Sequence, residues 1–388
     1  MIINSLYISN FKGFKEIKIP KLGHLNLIVG KNNSGKSSLL EALMLYASAG
    51  SESVFHEISI NHDEKSRERG RLNEYSRHYK DDKNLDLNEN FPYEHLFYGR
   101  KFNSKTPIRI GEIDSESKHL TASYFKQRKD TTDNHETLKL LQKLNVISNE
   151  MLLADSTTSQ QNILEVKKGR NKHIIPLDEP LYRVSRSVES DEKLRINFKY
   201  VPTKTTSMDD LGGLWDQIAL TPYERYTIDA LRLIEPHIED LRFVVKEDRN
   251  GDRTAILKLF DEDIRFPIRS MGDGIVRILQ LILNMYAAKD GFYLIDEFDN
   301  GLHYSVQKSL WKMIFSLSEQ FNIQVFATTH SWDCIQSFSE VAVENEGMKG
   351  CLLKIGKSKL SKNKGNAIVT IFDEETLHSI TQEMVEVR

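Results

Sequence analysis

Leu25-Asn26-Leu27-Ile28-Val29, running straight into Gly30-Lys31-Asn32-Asn33-Ser34-Gly35-Lys36-Ser37, decides the fold of this 388-residue chain. The first five residues form a near-continuous apolar run, the pattern of a strand buried on both faces of a sheet. Leu39, Leu40, Leu43 and Met44 then recur at helical spacing. Between strand and helix, residues 30–37 match G-x-x-x-x-G-K-S in full. In that setting the turn points successive backbone N–H groups at phosphate oxygens, and the helix N-terminus adds positive potential. Lys36 is placed to reach the β and γ phosphates of a nucleotide, and Ser37 to offer its hydroxyl to Mg²⁺. Gly30, Asn32, Asn33, Ser34, Gly35 and Ser38 complete the phosphate-facing set. A chance match in a surface loop is the bland alternative, and the flanking strand and helix argue against it.

A nucleotide hydrolase also needs carboxylates at the end of a neighbouring buried strand. Phe292-Tyr293-Leu294-Ile295-Asp296-Glu297 supplies them. Asp296 is the candidate to hold Mg²⁺, and Glu297 to orient and polarise the attacking water. Alone, two acids after an apolar run would read equally well as helix-capping residues. Small GTPases place the equivalent groups much closer together than positions 36 and 296, and no N-K-x-D or T-K-x-D guanine-reading tetrad is present.

The rest of the chain organises around these two motifs. Alternating apolar residues mark strands in Ile2 to Ile8 and Phe14 to Ile19. Residues 208–242 read as helical, with Thr221-Pro222-Tyr223-Glu224 as a helix start. A hairpin is predicted with Phe243 to Val245 and Ala255 to Phe260 flanking Asn250-Gly251-Asp252. An apolar helix over Ile275 to Ala288, strands over Phe292 to Ile295 and Ile323 to Ala327, and a helix over Tyr304 to Glu319 predict a mostly parallel sheet covered by helices. Residues 51–200 carry looser, mixed-charge patterns, with strand-like pieces near Ile108 to Ile113 and Ile174-Ile175. Heptads are not sustained there, which argues against a long coiled-coil arm.

Composition narrows the function classes. Lys plus Arg number 53 against 56 Asp plus Glu, so no global positive field draws the whole molecule to nucleic acid. Contact with nucleic acid would need local patches, of which Lys126 to Lys129, Lys167 to Lys172 and Lys357 to Lys364 are candidates; charged loops are more often simply solvated. No apolar run approaches a membrane span, and the start lacks a signal pattern. Cys334 and Cys351 are the only cysteines, which fits a reducing cytoplasm and supplies no C-x-x-C zinc pair. Trp215, Trp311 and Trp332 sit in helical patterns as core or interface residues. Asp261-Glu262-Asp263 reads as a solvated turn.

Between the two main motifs, Arg269-Ser270-Met271-Gly272-Asp273-Gly274 opens the Ile275 helix. Ser-x-Gly-x-Gly before a helix and an apolar-Asp-Glu strand resembles the signature motif of ATP-binding-cassette (ABC) ATPases, usually Leu-Ser-Gly-Gly. Met271 and Asp273 depart from that form in the manner of the SMC-like and OLD (overcoming lysogenization defect) branch. Asn10-Phe11-Lys12-Gly13-Phe14 resembles that branch's N-terminal strand motif, Asp299-Asn300-Gly301-Leu302-His303 its D-loop, and Ala327-Thr328-Thr329-His330-Ser331 its switch histidine. The terminal Glu386-Val387-Arg388 is similar to the ending of stand-alone OLD-like ATPases.

The resemblance implies an α/β ABC-type ATPase head with a mixed and a parallel sheet. Its expected parts are a core lobe from residues 1–50 and 290–388, an inserted α+β segment over 51–204, and a helical signature lobe over 205–289. It implies ATP and Mg²⁺ as ligands, and a head-to-tail dimer, or a larger assembly, in which Ser270, Gly272 and Gly274 meet the ATP held by the opposite subunit's Lys36. His330 is implied to contact the γ phosphate in its own subunit. A Mg²⁺-sensing glutamine is implied too, with Gln127, Gln142, Gln160 and Gln161 all open. Many OLD chains continue into a TOPRIM nuclease domain, and residues 332–388 are too few for an ordinary domain of roughly 100 residues, so the ATPase is expected to stand alone. Stand-alone ATPases of this kind occur in two-gene anti-phage systems such as PARIS and Septu, where a separate nuclease or toxin is the effector and nucleic acid or a phage protein the trigger. A DNA repair or maintenance ATPase and a nuclease are the competing readings.

Overall fold

The computed structural model describes residues 2–61, 93–128, 160–177, 194–245, 252–260, 265–345, 349–358 and 366–373, with 376, 377 and 379. Its centre is a six-stranded sheet in the order β15-β14-β3-β13-β12-β8. These strands are β3 (Leu25–Val29), β8 (Asn197–Val201), β12 (Gly291–Ile295), β13 (Gln324–Thr328), β14 (Gly350–Lys357) and β15 (Ala367–Phe372). All but the antiparallel edge strand β15 run parallel. Every residue of β3, β12 and β13 is buried, as their apolar runs require of strands covered on both faces. Strand alternation divides the side chains between two cores: Tyr293, Ile295, Val325 and Ala327 enter one, and Phe292, Leu294 and Phe326 the other.

The second core is closed by an antiparallel sheet in the order β2-β1-β4-β5-β6-β7. It begins with the N-terminal hairpin β1 (Leu6–Phe11) and β2 (Phe14–Ile19), and continues with β4 (Ile108–Gly111), β5 (Leu120–Arg128), β6 (Gln160–Lys168) and β7 (Asn171–Pro176). Helix α1 (Lys36–Ala47) packs in the core shared by the two sheets, which is why ten of its twelve residues are buried; α2 (Glu52–Asn61) follows it. Residues read as a loosely patterned insertion therefore extend the sheet that the N-terminal hairpin begins, and Asn197–Val201 joins the parallel sheet.

The first core is covered by α3 (Met208–Ile218), α4 (Pro222–Leu231), α5 (Asp273–Ala287), α6 (Tyr304–Gln320) and α7 (Trp332–Glu344). Beside them lies a small sheet of β9 (Ile238–Val245), β10 (Arg253–Leu259) and β11 (Arg265–Pro267). The predicted helical stretch of 208–242 is thus too long: it stops at Leu231, and residues 238–242 are strand. Pro236 cannot continue a helix and biases Glu235 away from helical backbone. Beyond it, Ile238 and Leu241 are buried opposite Leu259 and Leu257 of β10. The predicted reversal at Asn250-Gly251 and the Asp261-Glu262-Asp263 turn lie outside the described residues, as does the 386–388 ending. Trp215 and Trp311 are buried in the core, as expected.

Candidate nucleotide-binding site

The turn after β3 is shaped by contacts that exclude side chains. A Cβ on Gly30 would lie 2.4 Å from the Ile355 carbonyl oxygen on the neighbouring strand. Gly35 has φ 105°, and its Cβ would lie 2.6 Å from the Phe14 ring. Both positions need glycine, one for close backbone approach and the other also for its left-handed backbone. The β1–β2 turn therefore leans on the loop, and that explains the Asn10 to Phe14 motif. Phe11 and Phe14 are fully buried, and Lys12 reaches Glu41 of α1 in an ion pair at 2.7 Å.

Within the loop, the Lys36 ammonium donates to the carbonyls of Gly30 at 2.9 Å and Lys31 at 3.3 Å. Burial lowers its pKa, against the opposing pull of Asp296 and Glu297. The Ser34 hydroxyl is buried with no partner, so the turn holds an unused polar group.

Strand register brings the second motif to the same edge. Ile295 lies opposite Ala327 and Val201, and Thr328 opposite Ile28, so positions 30, 296 and 329 follow aligned strand ends. Ligands of open parallel sheets bind beyond such carboxyl ends. The Asp296 carboxylate accepts from the Ser37 hydroxyl at 3.1 and 3.2 Å and from the Thr328 hydroxyl at 2.7 Å. Tyr200 also hydrogen-bonds Asp296; burial, then the charges of Asp296, Glu41 and Glu57, push its phenol pKa up. Glu297 has φ 46°, a left-handed conformation that costs on the order of 1–3 kcal/mol for a non-glycine residue. Its N–H donates to the Thr328 hydroxyl at 2.8 Å, one of the contacts that hold it there.

Glu297 and the exposed His330 line a cavity of about 550 Å³ together with Gly30, Lys31 and Asn32. Partial desolvation at the cavity wall, and then the Lys36 charge, lower the His330 pKa from its ordinary value. The donor set suits a Mg²⁺-nucleotide. Ser37 and Asp296 present hard oxygen ligands side by side, Lys36 is a buried cation at the same edge, and the Ser34 hydroxyl is available within a cradle that a Cβ would fill.

Lys36, Ser37, Asp296, Glu297 and His330 are thus brought together. Ser270, Gly272 and Gly274 are not among the residues lining this cavity. They open α5, where the Ser270 hydroxyl donates to the Pro267 carbonyl at 2.7 Å and a Cβ on Gly272 would meet nothing within 4 Å. On the opposite flank, Asn33, Ser34, Gly35 and Ser38 line a second cavity of about 470 Å³ with Lys12, His95, Tyr98, Arg100 and Lys357. No sequence motif marked His95, Tyr98 or Arg100. Thr328, within the Ala327 to Ser331 segment, is a further residue at this edge that no motif of the sequence marks. Gln142 lies outside the described residues, as do the side chains of Gln127, Gln160 and Gln161. Of the basic clusters, Lys167 and Lys172 both pair with Glu165, and Lys168 turns inward to the Tyr46 and Leu194 carbonyls. Lys129 and Lys359 to Lys364 lie outside the described residues.

A family model described as the AAA ATPase domain matches residues 1–335. The chain belongs to that family. The Gly30 to Ser37 turn and the Asp296-Glu297 strand end both fall inside the matched span. An ATP/GTP phosphatase of Helicobacter pylori is 24% identical over 358 residues, 89% of this chain and 90% of that protein. An uncharacterized protein of Methanocaldococcus jannaschii is 52% identical over 48 residues, 12% of this chain and 22% of that protein. Among solved structures, an Smc head bound to the C-terminal domain of ScpA, derived from Pyrococcus furiosus, has a TM-score of 0.47 at 13% identity, covering 99% of both chains. The Smc head domain of Thermotoga maritima has a TM-score of 0.42 at 11% identity, covering 96% of this chain and 99% of that one.

Proposed function

We propose that this AAA ATPase domain hydrolyses ATP with Mg²⁺ and uses the cycle to open and close a head-to-tail dimer. The observation that carries the reading is the Ser37–Asp296 contact, which joins the loop and the carboxylate strand across 259 positions, with Lys36 and Glu297 beside it. Bound Mg²⁺ would supply charge neutralisation at the β and γ phosphates, held by Ser37 and Asp296. Lys36 leaves its two carbonyl acceptors to meet those phosphates. Glu297 orients the attacking water and accepts hydrogen bonds from it. His330 faces the γ phosphate as a hydrogen-bonding group. The base and ribose extend toward Tyr98 and Arg100 on the far flank. The exposed Ser270 and Gly272, with the half-buried Gly274 beside them at the start of α5, cap the ATP of a second copy.

The lobes follow from this assignment: a nucleotide core from 1–50 and 290–388, a segment over 51–204 that completes its sheets, and a helical lobe over 205–289. In such heads the output of hydrolysis is a change of assembly, so we assign the chain the role of a switch subunit of an anti-phage system that controls a separate nuclease or toxin. That role rests on the resemblance in sequence motifs. Phosphate release from ATP and from GTP by the purified chain, with and without Mg²⁺, tests the hydrolase reading, and an Asp296→Asn variant retaining parent turnover would contradict it. Co-purification of the product of a neighbouring gene, dependent on the nucleotide present, tests the switch role.

A further inference from the structure

Arg277 is 4% exposed, an unusual place for a guanidinium without a carboxylate partner among its hydrogen bonds. It spends its donors on backbone. One terminal nitrogen donates to the carbonyls of Asp296 at 2.8 Å and Glu297 at 2.9 Å. The other donates to the Pro202 carbonyl at 2.8 Å and to the Gln280 side chain at 3.3 Å, while the buried Nε has no partner. Glu297 is therefore held at both ends of its left-handed backbone by side chains from other elements: its N–H by Thr328 and its carbonyl by Arg277.

The element that carries Arg277 matters as much as its contacts. Arg277 lies in the first turns of α5, whose start follows Ser270 to Gly272 directly. At that end, a Cβ on Gly274 would lie 2.9 Å from the Gly301 carbonyl oxygen, so α5 also abuts the Asp299 to Gly301 turn. The helix end thus touches two successive pieces of the strand end that presents the carboxylates.

We propose that Arg277 is a positioning residue: it fixes the Asp296 and Glu297 peptide so that the Glu297 carboxylate faces the phosphate cavity, and it ties that placement to the position of α5. The proposal rests on the hydrolytic role of Glu297. Removing the fork leaves the Glu297 backbone free to leave its strained conformation and carries the carboxylate away from the water it must orient. Nucleotide binding, which depends on the loop after β3, is unaffected.

Arg277→Lys and Arg277→Gln, compared with the parent chain and with Glu297→Gln, test this. Turnover of ATP falls by about 10- to 100-fold in both, because small misplacements of a catalytic group are enough for such losses. Lys, which keeps a cation in the socket, retains more turnover than Gln, and it decides the question if Gln is not recovered folded. The affinity for a fluorescent ATP analogue stays within about threefold of parent, the signature of an effect on the chemical step. Parent turnover in Arg277→Lys, or losses of affinity that parallel the losses of turnover, would overturn the positioning role. Glu297→Gln with parent turnover would overturn the underlying reading; Glu297→Gln inactive beside a fully active Arg277→Lys would overturn the positioning role alone.

Discussion

The Ser37 hydroxyl rests against both oxygens of the Asp296 carboxylate, at 3.2 and 3.1 Å. Their approach fixes where the helix after the Gly30 to Ser37 turn meets the end of β12. A cation bound there would replace a hydroxyl–carboxylate hydrogen bond with two oxygen ligands and need little reorganisation of the backbone. Under the proposed function, this pair is the metal position beside the Lys36 ammonium.

Lys36→Ala is expected to lower ATP turnover by about 100-fold or more, the scale of losing one charge-stabilising group at a transferring phosphoryl. Affinity for ATP falls with it. Fold is kept, because among the described residues the ammonium donates only to Gly30 and Lys31 of its own loop. Phosphate release and circular dichroism on the same preparation check both halves; turnover at the parent rate in a folded variant refutes the site.

Ser270→Arg is expected to stop hydrolysis without unfolding the subunit. Ser270 is exposed, and the space around the adjoining Gly272 is open, so an arginine fits in an isolated chain. It collides only with what a second copy brings. Mixing this variant with Lys36→Ala leaves one composite site intact and restores part of the activity. If the mixture stays inactive, or if Ser270→Arg alone is fully active, the shared site is wrong.

How much of this was legible in the sequence depended on whether the signal was local. Leu25 to Val29, Phe292 to Ile295 and Ile323 to Ala327 announce buried strands by composition alone, and residues 30–37 carry their glycines and lysine in fixed order. The antiparallel sheet was harder. Gln160–Lys168 begins with polar residues, and although β7 follows it in a tight hairpin its other partner, β5, lies far away in sequence, so its strand character is set by pairing on both sides. Arg277 and His95 could not be found at all, since nothing near them in sequence shows that they reach the carboxylate peptide or the loop flank. Lys168 was the reverse case. It looked like part of a solvated basic cluster, yet Leu164 and Val166 are fully buried, and a period of two places Lys168 on their inward face.

That buried lysine gives a prediction in pH. Burial pushes the Lys168 pKa down to about 8, while its ammonium sits 3.9 Å from the Tyr46 ring centre and donates to the Tyr46 and Leu194 carbonyls. The unfolded chain, with an ordinary lysine near 10.5, holds more protons than the folded one between those two values. Stability attributable to this group therefore rises with pH across that window, and the cost of burying the charge is complete below it. Relative to Lys168→Met, the parent gains about 2–3 kcal/mol between pH 7 and pH 10. Urea unfolding of both proteins at the two pH values measures the difference, and a gap that is constant with pH would show that Lys168 titrates normally.

Glu297→Gln separates binding from chemistry. The amide keeps the size of the carboxylate and still forms hydrogen bonds around the water, but it cannot polarise that water as a carboxylate does. The backbone that carries it is unaffected, because Thr328 and Arg277 hold the N–H and carbonyl of residue 297 through hydrogen bonds that do not involve its side chain. Asp296 retains its contacts with Ser37 and Thr328, so the proposed metal position survives. The expected result is turnover reduced by about 100-fold or more with ATP affinity preserved, since the interaction removed is made mainly in the transition state. A dimer that closes on ATP and opens on hydrolysis then accumulates in its closed form. Sedimentation with ATP and Mg²⁺ should show a larger species for Glu297→Gln than for the parent chain after the same incubation, and no such species for the Glu297→Gln, Ser270→Arg double variant. Hydrolysis at the parent rate would remove the catalytic role of Glu297, and an assembly indifferent to nucleotide would remove the switch built on it.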